Sequence, residues 1–206
     1  MVRSLLAGDT VTIDGEPARM LHVEDLTAPR PIDVEIWLGA FGPRAIGLAM
    51  DIADGILGLP GNHALPVATL MPATVLKPGE DRDSARVREA VGPWKVVTYH
   101  EAYAIGGPDA VDALPGGREW RHALEQLAPE GQRHLLTYQG HVTHLTERDH
   151  QLLDHAPDGL ATIGAPAEIS ARVAELGQQG VQEVIYTPSG PDIARELEAF
   201  YSAAAK

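Results

Sequence analysis

Cysteine is absent from all 206 residues, which removes disulfides and thiolate chemistry and fits a reducing compartment. Long apolar runs are absent too. No stretch approaches a membrane span, and Met1-Val2-Arg3-Ser4-Leu5-Leu6 meets Gly8-Asp9 too early to form a signal-peptide core. The expectation is therefore a cytoplasmic protein with no membrane partner. Basic residues are few, 16 against 29 acidic ones, for a formal net charge of −13. Without a basic footprint, nucleic acid is a poor partner. Acidic bulk does not exclude a small anion, whose site is set locally by N–H groups and residues such as Arg44. The chain also lacks a Walker loop, a GxGxxG turn, a GxSxG elbow and an HExxH pair.

What is present is clearest in DVEIWLGAFGPRAIGLAMDIADGILG, residues 33–58. Val34, Ile36 and Leu38 predict a short buried strand, and Gly39, Ala40 and Gly42 leave room for close approach to the backbone. Pro43 suits the first helical position, and Ile46, Ala49 and Met50 fall on one face of the helix that follows. Ile56 and Leu57 open a second strand. A helix N-terminus after a parallel strand offers free N–H groups and a positive dipole end to an anion.

Along the rest of the chain, Val2 to Ala7 reads as helix stopped by Gly8, and Asp14-Gly15 as a hairpin turn between 10–13 and 18–23. The run PVATLMPATVL resembles another buried strand, whose ends Pro66 and Pro72 leave undefined. Residues 81–90 read as a polar helix with Ser84 as cap and a solvated charged face. Gly92-Pro93 opens WKVVTYHEAYAIGG, which fits helix and strand alternation almost equally; helix is the reading taken. Helices are expected at 116–127, 147–155 and 166–178, strands at 160–163 and 182–187, and a last helix from Gly190-Pro191 to Ala204. Alternating strands and helices predict an α/β fold with about four parallel core strands. At 44% hydrophobic, the chain supports one packed domain over 1–206.

Three segments resemble the luciferase-like monooxygenase superfamily. The first is Trp37-Leu38-Gly39-Ala40-Phe41-Gly42-Pro43, with Leu48-Ala49 and Ile52-Ala53-Asp54-Gly55. The second is Gly164-Ala165-Pro166-Ala167-Glu168 running into Val173-Ala174-Glu175-Leu176 and Gly180-Val181. The third is Thr187-Pro188-Ser189-Gly190-Pro191-Asp192. The opening Leu5-Leu6-Ala7-Gly8, with Val11-Thr12 and Asp14-Gly15, is similar to a hairpin that precedes the family's fifth strand. The resemblance implies the carboxyl-terminal half of a (β/α)₈ TIM barrel, with a small β-hairpin near the N-terminus and no counterpart of strands one to four. It further implies an F420-dependent oxidoreductase, with FMN as the alternative cofactor, acting on a small organic substrate by hydride transfer or monooxygenation. The phosphate-bearing tail would lie on Gly39, Ala40, Phe41, Gly42 and Pro43. Read without the resemblance, Gly39 and Gly42 simply make a tight turn, and the Ser189-Gly190-Pro191 turn is a plain helix start.

Nine histidines invite a metal reading. Yet His141 and His144, three apart, and His150 and His155, five apart, match no established ligand spacing, and none is assigned. His100 and Tyr103 share a helical face and are candidates for substrate contact or proton transfer. Tyr138 and His141, flanking Gly140, are candidates for the same pocket; a buried, backbone-satisfied His100 and Tyr103 is the plainer alternative. In the competing functional class the chain is a non-catalytic half-barrel. Its open strand edges would then pair in a homodimer or with a separate N-terminal half.

Overall fold

The computed structural model describes residues 1–156 and 160–205. Contacts divide the chain into two compact units, Met1–Ile56 and Leu57–Lys206.

In the first unit, helix α1 (Val2–Ala7) stops at Gly8, whose φ of 99° turns its N–H back onto Leu5. Strands β1 (Val11–Ile13) and β2 (Glu16–Ala18) form an antiparallel hairpin in the register Val11 to Ala18. Asp14 and Gly15 both take positive φ, as a two-residue primed turn requires. The second strand thus starts at Glu16 rather than at 18, because the turn leaves no spare residues. Next come β3 (Trp37–Ala40), α2 (Pro43–Ile52) and β4 (Gly55–Gly58), which leads out of the unit.

Two expectations for this segment are corrected. The strand begins at Trp37, and Val34 is exposed. The Ile36 backbone is instead committed to Asp54: its N–H donates to the Asp54 carboxylate at 2.8 Å, and its carbonyl accepts from the Asp54 N–H at 2.8 Å. On α2 only Ala49 is fully buried, and Met50 points outward. Gly55 is obligatory for a steric reason, since an added Cβ would fall inside the Trp37 ring.

In the second unit, β5 (Val67–Met71) and β6 (Ala73–Val75) are nearly one strand broken at Pro72. β7 (Thr162–Gly164) runs parallel to β6, and β8 (Glu183–Tyr186) parallel to β5. Both pairings need long crossovers. Helix α9 (Pro166–Gln178) joins β7 to β8, and α10 (Ile193–Ala204) follows β8. Val67, Met71, Ala73 and Val75 pack with Ile169, Leu176, Val181 and Ala203 as the core of this α/β layer.

The crossover from β6 to β7 is a helical lobe. Helix α3 (Ala85–Lys95) is capped by Ser84, whose hydroxyl accepts the Val87 N–H. It is followed by α4 (Val97–Glu101), a π-helical turn (Ala102–Gly106), α5 (Gly107–Asp112), α6 (Gly117–Leu127), α7 (His134–Thr137) and α8 (Glu147–His150). Their own core contains Val96, Tyr99, Val111, Trp120, Leu124, Leu145, Leu152 and Leu153. Gly92-Pro93 lies inside α3 instead of opening a new element. There Leu145 and Leu153 lie against Gly92 so closely that a Cβ would meet the Leu145 side chain at 2.6 Å.

The charged run after residue 80 is not a simple solvated face. Arg86 turns inward, pairing with Glu80 at 2.6 Å and with Glu196 at 2.7 Å. Buried Glu196 also accepts from Thr74 at 2.8 Å and from Arg195 at 2.8 Å. The Arg86 guanidinium beside Glu80 holds that carboxyl down at about 2.

Candidate functional site

Gly39 and Ala40 end β3, Phe41 follows, Gly42 caps α2 and Pro43 is its first residue. Gly42 offers no side chain to the helix start, and no acidic residue occupies the first turn. The first N–H groups of α2 are therefore free of a side-chain cap, with the dipole's positive end beside them. A Cβ built on Gly39 or Gly42 would meet nothing within 4 Å. These two glycines are not packed under a neighbouring helix, and the space above them is open to a ligand. The second Gly-Pro turn differs. Gly190, at φ 86°, lies against α3, where a Cβ would come within 2.7 Å of the Glu89 carbonyl, and Ser189 donates to the Ala90 carbonyl at 2.6 Å. That turn is closed by α3.

The other candidates meet in the helical lobe. His100, at the end of α4, is fully buried, and its Nδ1 lies 2.9 Å from Nδ1 of half-buried His141. The Tyr138 ring stands edge-on to both, with centroids 5.0 Å from His141 and 6.3 Å from His100. Tyr103, in the π-helical turn, reaches Trp120 at 5.9 Å, and Trp120 lies 5.6 Å from His100. Tyr103 and Tyr138 line a groove of 330 Å³ together with Arg133, His134 and Thr137.

The residue that organises this cluster is Asp149, which the sequence reading overlooked. Its Oδ1 accepts from Trp120 Nε1 at 2.8 Å and from His100 Nε2 at 3.3 Å. Its Oδ2 accepts from the Thr146 N–H at 3.0 Å and from the Thr146 hydroxyl at 2.6 Å. Burial alone would raise this carboxyl, but donors from His100, Thr146 and Trp120 outweigh it and hold the group at about 2. Arg148, also buried, lies over the Trp120 ring at 5.5 Å. A readable signal existed: Thr146-x-x-Asp149 is the pattern of a capping box, and its reciprocal half forms, with the Asp149 carboxylate accepting the Thr146 N–H. Such a box marks a helix start, however, and does not show that Asp149 also faces a histidine 49 residues away.

His144 contacts Thr143 and His150 faces Glu89, so neither joins His141. Among the described residues no group of three or more His, Cys, Asp or Glu side chains is placed to hold a metal ion. Nor is any helix among them long and apolar enough to cross a membrane.

The chain matches no family model. It is 24% identical over 211 residues to the 5,10-methylenetetrahydromethanopterin reductase of Archaeoglobus fulgidus, covering 96% of this chain and 61% of that protein. It is 26% identical over 216 residues to the enzyme of the same name from Methanolobus tindarius, with the same 96% and 61% coverage. These matches support the resemblance to the luciferase-like superfamily. The chain spans about three-fifths of the length of these relatives. Among solved structures it is similar to the coenzyme F420 dependent tetrahydromethanopterin reductase of Methanopyrus kandleri. There the sequence identity is 17% and the TM-score 0.47, over 98% of this chain and 58% of that one.

Proposed function

We propose that this chain is the cofactor-binding, carboxyl-terminal part of an F420-dependent oxidoreductase of (β/α)₈ type. The observation that carries the reading is the uncapped start of α2 beneath the open Gly39 to Pro43 turn. Free N–H groups, the helix dipole and the adjacent Arg44 side chain suit the phosphate of coenzyme F420, and FMN is the alternative. When bound, the deazaflavin supplies hydride chemistry, and the chain's task is to grip it and orient the substrate. Tyr103 and Tyr138 offer aromatic faces to a small organic substrate, with His141 packed edge-on behind Tyr138. The relatives' names make 5,10-methylenetetrahydromethanopterin the first substrate to try.

A Gly42→Asp variant tests the phosphate grip. Asp is a strong N-cap and is compatible with the extended backbone here, φ −146° and ψ 164°, so the helix gains stability while the site gains a negative charge. F420 affinity should fall at least about tenfold, roughly 1.4 kcal/mol, with the thermal midpoint unchanged or higher. Unaltered F420 affinity in the folded variant would remove α2 from the cofactor site.

Association is a second reading, favoured by exposed apolar side chains on α2 and its entry turn. Phe41, Leu48, Met50 and Ile52 are 59%, 50%, 44% and 52% exposed. A second copy or a separate N-terminal barrel half would cover them.

A further inference from the structure

We propose that Asp149, His100 and His141 form a proton relay, in which His141 takes a proton at its outer nitrogen and passes its inner proton to His100. This inference holds whether or not F420 is the cofactor. The hydrogen-bond directions follow from the carboxylate inward. Buried and ionised, Asp149 can only accept, so His100 Nε2, 3.3 Å from Oδ1, carries a hydrogen. In the tautomer that carries this hydrogen alone, His100 presents a lone pair at Nδ1. The 2.9 Å contact must then be donated by Nδ1–H of His141. That leaves His141 with its lone pair on Nε2, which makes no hydrogen bond to any described residue, while His100 behind it is fully enclosed.

A proton arriving at His141 Nε2 forms one N–H bond there, and the Nδ1 proton crosses to His100 Nδ1. His100 becomes an imidazolium facing the Asp149 carboxylate, and His141 ends neutral with its proton on Nε2. The donor, a weakly acidic N–H or O–H of a small molecule, keeps its electron pair, so nothing is oxidised. The surroundings disfavour a charge resting on His141 itself. Burial and neighbouring His100 hold the His141 imidazole below its ordinary 6.5, while Glu101 and Asp149 act in the opposite direction. Besides these, Arg148 from α8 lies 3.7 Å from the Asp149 carboxylate, and Tyr138 faces His141 edge-on. The local backbone is specialised as well. His100 is followed by the π-helical turn, and Val142, next to His141, sits at φ 52°, unusual for a β-branched residue.

The test is a pH series of long-range ¹H–¹⁵N spectra on the full chain labelled at histidine. At high pH His141 should be the Nδ1–H tautomer. On acidification it should invert to Nε2–H as His100 becomes doubly protonated. Asp149→Asn should move that inversion down by at least about 1 pH unit, whereas Glu101→Gln should lower its pH while keeping the same exchange of tautomers. The relay is overturned if alkaline His141 is already Nε2–H. It is equally overturned if His141 becomes imidazolium first without exchanging tautomers, or if folded Asp149→Asn leaves the transition unmoved. Should Asp149→Asn fail to fold, the wild-type tautomer series decides alone.

Discussion

Asp149 shows how much one residue can impose on its surroundings. Four donors converge on its two oxygens, so the carboxylate orients Trp120, His100 and the start of α8 together. Its ionisation is therefore linked to folding. With the native group at about 2 and its ordinary value at 3.8, the unfolded chain binds more protons between those values. The stabilisation is complete above pH 3.8 and is lost as pH falls through about 2. Denaturant midpoints measured between pH 5 and pH 2 should fall steeply in this window, and Asp149→Asn should flatten that part of the curve. At this scale the sequence was only partly legible. His100, Tyr138 and His141 could be singled out by chemistry, and the structure brings their rings together. Asp149 and Trp120 could not, because their roles depend on contacts between helices far apart in the chain.

Among elements, the best-read ones carry their own punctuation. Helix α9 spans 166–178 as expected because Pro166 starts it and Glu168 reaches back to the Ala165 N–H at 2.7 Å. Strand ends were less legible where a side chain takes over the backbone, as Asp54 does at Ile36. The inward turn of Arg86 was hidden for a related reason: its partner Glu196 lies on α10, 110 residues away. Helices α3 and α10 are joined there through a buried carboxylate between two arginines. Removing it takes the only paired carboxylate from Arg195 among the described residues and leaves Arg86 with Glu80. Glu196→Ala should therefore cost about 1–3 kcal/mol, read as a lowered denaturant midpoint. A loss under about 1 kcal/mol would mean that solvent replaces the carboxylate freely.

For the whole molecule, alternation of strands and helices made the α/β class readable, and the parallel pairs β5 with β8 and β6 with β7 agree with it. The division into two compact units was not readable, since no linker composition marks residue 56. The association reading belongs to this scale too, and sedimentation equilibrium checks it: self-association should appear with the wild type and weaken when Leu48 and Ile52 are made polar. The central claim is that this chain grips the phosphate-bearing tail of a deazaflavin. Equilibrium dialysis of the purified chain against F420, with FMN in a parallel cell, tests it most directly. Saturable F420 retention, reduced at least about tenfold by Gly42→Asp, is the predicted result. Retention of neither F420 nor FMN by the folded chain would contradict the account.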